Sequence, residues 1–355
     1  MKSNTLLLLL FLLLFSACRK DIDEIRVNKE EDSPAVFIKN TIRGKVVDET
    51  GVPIANANVT VEDEIIQSDA DGCFLFNSVT IKKDGTIVTA SSDEFFDGIS
   101  HSNFAADGSS FVEIRMMHRG DPQFVESVDG GTVTNNDNLK INIPPDALVY
   151  ENGNLYEGPV KVYARWLDPT DENIGATMPG ALIASDENGN RLALVSYGMA
   201  VIELEADNGA KLELKEGAEM ELDIPIPPEL LADAPEEIDL WLFDLEEEEW
   251  LLKGKCNKVG GNYKCMVSQT GYWNCDVGVP AICLTGQVFN SDSSYSAYLR
   301  VIVEDLTDNF IYWGYTDSTG YFCGSVPQAA PLRLTIKDHC DNVVHTEDIL
   351  SLIHI

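Results

Sequence analysis

The chain has 355 residues, of which 25 are Lys or Arg and 59 are Asp or Glu, so its formal net charge is −34. Hydrophobic residues make up 44%, enough to bury cores in two or three domains of roughly 150 residues each, which excludes global disorder. So acidic a chain repels phosphate backbones, which are bound by neutralising them with Lys and Arg, and nucleic acid is excluded as a main partner.

Lys2 precedes an unbroken apolar run from Leu6 to Phe15. Ten helical residues span about 15 Å, half of a hydrocarbon core of roughly 30 Å, so residues 1–17 read as an export signal rather than a permanent membrane helix. The stretch Phe15-Ser16-Ala17-Cys18 resembles the lipobox of bacterial lipoproteins. That resemblance implies cleavage before Cys18, diacylation of its thiol and acylation of the new amino group. Several acyl chains, at about 0.8 kcal/mol per buried CH₂, hold a protein on a membrane where one chain is marginal. Arg19-Lys20-Asp21-Ile22-Asp23-Glu24 resembles the signal that sends some Gram-negative lipoproteins to the outer leaflet, which implies a surface-exposed chain at the cell outer membrane. Residues 18–40 are then the lipidated cysteine and a polar tether, whose coil span is about 26 Å.

Residues 41–118 carry strand grammar, short β-branched runs broken by turn residues. Thr41 to Val47 leads into a turn at Asp48-Glu-Thr-Gly51 and then Val52-Pro53; Asn58 to Glu62 alternates apolar and polar; Ser68-Asp-Ala-Asp-Gly72 is a second turn before Cys73-Phe74-Leu75-Phe76. Gly44, Gly51-Val52-Pro53, Ala57, Val59, Asp69, Gly72 and Phe74 resemble the carboxypeptidase regulatory-like domain, which implies a transthyretin-like sandwich of about seven strands. The pattern returns in residues 279–349. Gly286-Gln-Val288 corresponds to Gly44-Lys-Val46, and Thr316-Asp317-Ser-Thr-Gly320-Tyr-Phe322 to Ser68-Asp69-Ala-Asp-Gly72-Cys-Phe74. This second copy has Asn290-Ser-Asp-Ser-Ser294 where the first has its Gly-x-Pro turn, which leaves its first hairpin less defined. Asp69, Asp71 and Asp317 suit β-turns through Asx hydrogen bonds, with calcium ligation as the alternative. No catalytic counterpart of a zinc peptidase accompanies the modules, so peptidase activity does not carry over.

Residues 119–278 have their own pattern, opening on Gly130-Gly131-Thr132-Val133 and Leu139 to Leu148 and continuing through alternating runs at Val160–Ala164 and Val201–Glu205 to Asp239–Asp244 and Trp250. The opening resembles ZU5-type β domains, and the modular order resembles the astroprincin family and cartilage intermediate layer proteins. The resemblance implies an interaction module without a catalytic centre. The acidic run Glu246 to Glu249 reads as a solvated hairpin tip, with a cation site as the alternative. Trp166, Trp241, Trp250, Trp273 and Trp313 are core residues or, alternatively, platforms for sugar rings.

With Cys18 acylated, seven cysteines remain. A two-residue turn at Gly260-Gly261 pairs 259 with 262 and, counting outward, 256 with 265, a non-hydrogen-bonded pair with a Cα separation of about 4.5 Å. A Cys256–Cys265 disulfide follows. Cys275, Cys283, Cys323 and Cys340 offer two further bridges around the last module in three unranked connectivities, with a zinc cluster as the alternative, and Cys73 is left as a buried packing thiol. The five His, at 101, 118, 339, 345 and 354, share no metal-ligand or catalytic spacing. The last six residues, Leu350 to Ile355, permit a back-translation that reads as a transposon-end sequencing adapter, so 350–355 are set aside as an artefact and the second copy is expected to be truncated.

The expectation is an all-β chain of tandem sandwich modules. It is a lipid-anchored, non-catalytic envelope protein without cofactor or metal, whose partners are the membrane and a protein or glycan ligand. The alternatives are a glycan-binding lipoprotein of a polysaccharide-uptake system, or an envelope hydrolase whose catalytic domain lies beyond this chain.

Overall fold

A computed structural model describes residues 36–82, 85–102, 108–171, 173–307 and 311–351. Cys18, the residues read above as an export signal, most of those read as a tether, and residues 352–355 lie outside them. The described residues are all-β, with 25 strands and one four-residue helix among them. No helix among them is long and apolar enough to cross a membrane.

The first seven strands are β1 (Phe37–Asp48), β2 (Asn58–Val61), β3 (Glu64–Gln67), β4 (Cys73–Lys82), β5 (Thr86–Ser91), β6 (Gly98–Ser102) and β7 (Ser109–Met116). They form two sheets, ordered β4-β1-β7 and β3-β2-β5-β6. β1 runs antiparallel to β4 and parallel to β7. Side chains alternate between faces along a strand, so β7 buries every second residue, and Ile42, Val46, Val59, Phe76, Val88 and Ile114 share one core. The same alternation corrects the expectation for Cys73. Phe74 and Phe76 take the inward face of β4, so Cys73 is exposed rather than a packing thiol.

The middle of the chain supplies β8 (Gln123–Glu126), β9 (Gly131–Thr134), β10 (Lys140–Ile143), β11 (Leu148–Tyr150), β12 (Pro159–Leu167), α1 (Ile174–Thr177), β13 (Ile183–Ser185), β14 (Arg191–Ala206), β15 (Lys211–Leu214), β16 (Met220–Pro225), β17 (Glu237–Asp244), β18 (Glu249–Val259), β19 (Asn262–Val267) and β20 (Gly271–Gln287). Their main path is β11-β15-β14-β20-β17-β18-β19-β16-β10-β9, with β8, β12 and β13 attached beside it. One face of β14, β17 and β20 covers a core built on Ile202, Leu240, Trp273 and Tyr263. The other face meets residues of the first module: Phe96, Ile99 and Met117 pack with Met199, Val201, Trp241, Phe243 and Trp250. Burial on both faces explains why β17 reads Leu240-Trp-Leu-Phe243 without polar alternation. Ion pairs close the same joint, from Arg165 to Glu49 (3.1 Å) and Lys82 to Glu248 (3.1 Å).

β20 passes unbroken through the boundary expected at 278/279 and changes partners there. It pairs with β14 as far as Pro280, then with β23 (Tyr321–Pro327) from Ala281 onward. The last module faces this pair with a second sheet made of β21 (Arg300–Asp305), β22 (Ile311–Tyr315), β24 (Pro331–Lys337) and β25 (Val343–Leu350), in the order β22-β21-β24-β25. Leu350 pairs with Pro331, and the Ser351 backbone N–H donates to the carbonyl of Ala330 at 3.0 Å.

The sequence repeat is repeated atom by atom in the backbone. Val46 N donates to Gly72 O and Val288 N to Gly320 O, both at 2.8 Å. Ile54 N donates to Val46 O and Ser296 N to Val288 O, both at 3.0 Å. The Ser68 hydroxyl donates to Ile54 O at 2.8 Å, and the Thr316 hydroxyl does so to Ser296 O at 3.0 Å. The first hairpin of the second copy is therefore well formed despite its divergent sequence. Asn290 N donates to Ser294 O as Asp48 N does to Val52 O, and Ser293 takes the left-handed position (φ 69°) that Gly51 holds (φ 85°) in the first copy.

Candidate functional site

In both copies an aspartate ties the second turn. Asp69 Oδ1 accepts from the backbone of Asp71 (2.9 Å) and Cys73 (2.8 Å). Asp317 Oδ1 accepts from Thr319 N and Oγ1, each at 2.7 Å, and from Tyr321 N at 3.1 Å. Both contacts are Asx-turn bonds, the turn reading rather than ligation. The copies diverge in what surrounds the aspartate. Asp69 is exposed, whereas Asp317 is only 5% exposed. The second turn is seated on β7, where Ser318 N donates to Ser109 O at 3.0 Å and Ser109 N to Ser318 Oγ at 3.2 Å.

That seating closes a cavity of about 150 Å³ where both copies and the α1 region of the middle module meet. Phe111 and Tyr315 close one wall in an edge-to-face pair with centroids 4.9 Å apart. Trp313 stands edge-on to Tyr315 at 5.7 Å, with the Arg300 guanidinium 4.9 Å from its ring centroid. Gly175 of α1 permits this approach, since a Cβ there would lie 2.8 Å from Trp313 Cδ1 and from the carbonyl of Ile311.

Of the residues around the cavity, Trp313 and Asp317 have a side-chain polar atom, Nε1 and Oδ2, buried without a hydrogen-bond partner among the described residues; Ser110 Oγ is buried likewise, on the inward face of β7 with Val112 and opposite Phe111. Native interiors leave few such groups, because each costs about 1–3 kcal/mol. His101 lines the same cavity half-buried. Burial pushes its imidazole down to about 4, aided by the charges of Arg191 and Lys82, so the ring is neutral at pH 7. Asp317 is the one charged residue among those lining the cavity. Much of the remaining lining is apolar, including Leu284, Val301, Val303, Phe322 and Val326, which belong to the core of the second copy or pack against it.

The cysteines divide differently from the sequence expectation, apart from the first pair. Asn257, Lys258 and Val259 pair with Lys264, Tyr263 and Asn262, the register implied by the Gly-Gly turn. Cys256 and Cys265 are joined with a Cα separation of 4.5 Å. No disulfide joins Cys275, Cys283, Cys323 or Cys340. Cys275 belongs to the half of β20 inside the middle sheet, so it lies in that core and not around the last module. Its Sγ is 3.5 Å from Cys256 Sγ and 3.6 Å from Cys265 Sγ. These three are the only group of candidate metal ligands among the described residues, and the disulfide withdraws two of them. The Cys275 thiol sits beside the disulfide rather than at one end of its axis. Burial, followed by the neighbouring Asp276, pushes that thiol well above the ordinary range, which leaves it protonated and unreactive.

Of the tryptophans, Trp241, Trp250 and Trp273 are buried core residues and Trp166 packs against the middle core. Trp313 alone lines the cavity. The acidic run forms the β17–β18 hairpin tip, where Asp244 Oδ1 accepts from the backbone of Glu246 (2.9 Å) and Glu247 (3.1 Å) and Glu248 reaches Lys82. Ser110 carried no sequence signal, and Asp317 was marked as a turn residue with calcium ligation as the alternative.

No protein-family model and no curated protein matches the chain. Among solved structures it is similar to the Bacillus anthracis TIE protein at 9% identity, covering 88% of this chain and 48% of that one, with a TM-score of 0.21. It is also similar to BcpA, the major pilin subunit of Bacillus cereus, at 8% identity over 89% of this chain and 98% of that one (TM-score 0.17). The major pilin SpaD from Corynebacterium diphtheriae is 8% identical, with 88% and 91% covered and a TM-score of 0.18. The chain spans about half the length of the TIE protein. Identities and TM-scores this low assign neither family nor function.

Proposed function

We propose that this is a non-catalytic protein of the cell envelope, anchored by lipid on Cys18 at the surface of the outer membrane, which presents β-sandwich modules for adhesion, assembly or ligand display. The observation that carries the reading is the joining of two copies of one module through a middle sheet. β20 runs continuously from that sheet into the second copy, ion pairs tie the first copy to it, and a cavity with a single charged lining residue lies where they meet. The lipobox-like Phe15 to Cys18 supports the anchor, and the repeated turn frame supports the carboxypeptidase regulatory-like reading of the two copies.

The test is metabolic labelling with an alkyne palmitate analogue in a Gram-negative host, alongside protease treatment of intact cells. Label is expected on the wild type and lost in Cys18→Ala, with the wild type cleaved by protease added outside. An unlabelled wild type that washes from vesicles in plain buffer would overturn the anchor. Protection of the chain in intact cells would overturn surface display.

A further inference from the structure

We infer that the open edge of the second copy, from Cys283 on β20 to Phe289, is the seat of a seventh strand lying parallel to β20. The strand is supplied by the segment of the chain that follows Ser351, outside the described residues. This inference goes beyond the proposal above and does not depend on how the chain is anchored.

Six strands of the two copies correspond one to one. The sheets of the first are ordered β4-β1-β7 and β3-β2-β5-β6, and those of the second β23-β20 and β22-β21-β24-β25. The shared turn bonds set Val288 where Val46 stands, so Cys283, Thr285, Gln287 and Phe289 stand where Thr41, Arg43, Lys45 and Val47 do. Backbone groups along a strand point alternately to its two sides. Val46 N and Val288 N turn to the β4 and β23 sides, where they donate to Gly72 and Gly320. Thr41 N turns the other way and donates to Gly108 O at 3.2 Å, at the start of β7. The four residues of that parity in the second copy therefore aim their N–H and C=O groups away from β23. No described strand pairs with them on that side, and all four are exposed.

The inner faces agree. In the first copy β7 lays Val112, Ile114 and Met116 over the core, and Ile42 and Val46 are fully buried. Their counterparts Leu284 and Val288 are only half-buried. β7 also covers the facing sheet, since a Cβ on Gly98 of β6 would meet Ile114 and Met116 at 2.7 and 2.9 Å. β25 takes the place of β6 and is exposed along nearly its whole length. One strand in the place of β7 would cover both. Module order names the occupant. β7 follows β6 through residues 103–108, and β25 leaves the frame at the same point, because Leu350 pairs with Pro331, the first residue of β24, as Ser102 pairs with Thr86, the first of β5. The strand that fits has apolar residues at every second position, beside Gly286 and Val288 as Val112 and Ile114 lie beside Gly44 and Val46.

The experiment reads hydrogen–deuterium exchange over residues 281–290 in the full chain, purified in detergent, with and without a copy of Gly108 to Met116 added behind Ile355. That addition keeps the link at the length it has between β6 and β7. Exchange is expected to be fast in the unextended monomer and to slow by about tenfold or more on extension. Two changes should abolish the slowing: Val112→Asp with Ile114→Asp in the added copy, and Thr285→Pro in β20. Proline at 285 removes an N–H that pairs with no strand in the unextended chain, so that chain should still fold. The inference is overturned if extension leaves exchange unchanged, if the slowing survives either change, or if exchange is already slow in the unextended monomer. It is equally overturned if the unextended chain forms a dimer that protects the same residues, which would make a second copy the occupant. Should the extended chain fail to fold, Ser109–Met116 as a free peptide at about 1 mM, the effective concentration of a short link, decides the matter on the same criteria.

Discussion

The two copies of the repeated module share one backbone frame and differ in what surrounds it. In the first copy, β1 is flanked by β4 and by the parallel β7, and the turn aspartate Asp69 faces water. In the second, the corresponding half of β20 pairs with β23, no described strand takes the place of β7, and Asp317 is buried in a turn whose Ser318 bonds to Ser109. A residue with a local structural task in one copy has therefore acquired buried surroundings in the other without any change in its turn.

The comparison is most sharply tested at the turn glycines. Gly72 and Gly320 have φ values of 74° and 72°, and a Cβ on either would lie 2.4 Å from the carbonyl of Val46 or Val288. Left-handed strain adds to a clash with backbone that cannot move aside, so Gly72→Ala and Gly320→Ala should each cost about 4 kcal/mol. Urea unfolding that finds one copy tolerant would break the equivalence of the frames.

A smaller and unequal effect is expected where a phenylalanine ring crosses a strand glycine. A Cβ on Gly44 would meet the Val112 carbonyl of β7 at 2.2 Å as well as the Phe74 ring, whereas one on Gly286 meets only the Phe322 ring. Gly44→Ala should cost about 3 kcal/mol and Gly286→Ala about 1, because a ring can turn and a paired strand cannot. Equal losses would show that β7 does not constrain the first copy as described.

The pH dependence of the joint comes next. His101 on β6 has its imidazole pushed down to about 4 from an ordinary 6.5, so the fold binds fewer protons there than the unfolded chain. Stability from this group is complete above pH 6.5 and is lost as the pH falls through about 4. Discounted for partial exposure, the loss is on the order of 2 kcal/mol. His101→Gln should flatten that portion of a stability–pH curve.

The smallest effect is expected at the first hairpins. Gly51 has open space around its Cβ position and φ 85°, and its counterpart Ser293 already tolerates φ 69°. Gly51→Ser should cost about 1 kcal/mol and Ser293→Gly should be neutral or stabilising by a similar amount, as calorimetry would show.

Much of this architecture could be read along the chain. Period-two alternation marked β2 and the start of β12, Gly260-Gly261 set the register that aligns Cys256 with Cys265, and the spaced Gly, Asp and Phe positions exposed the repeat. These are local features, decided by φ, by side-chain alternation and by hydrogen bonds a few residues long. The placement of Cys73 and Cys275 was not so readable. One was decided by which face of β4 the phenylalanines claimed, the other by which sheet held the first half of β20.

The cavity belongs wholly to the second kind of information. Ser110, Gly175, Trp313 and Asp317 come from three modules more than 60 residues apart in sequence between the nearest of the groups, and although the repeat marks Asp317, nothing along the chain says that they meet. The sequence by itself determined the strands, the turns and the cysteine register, because each depends on contacts within a hairpin. Only the tertiary structure decided that one turn aspartate would meet water and its twin an enclosed space, since burial depends on what the rest of the chain packs against it.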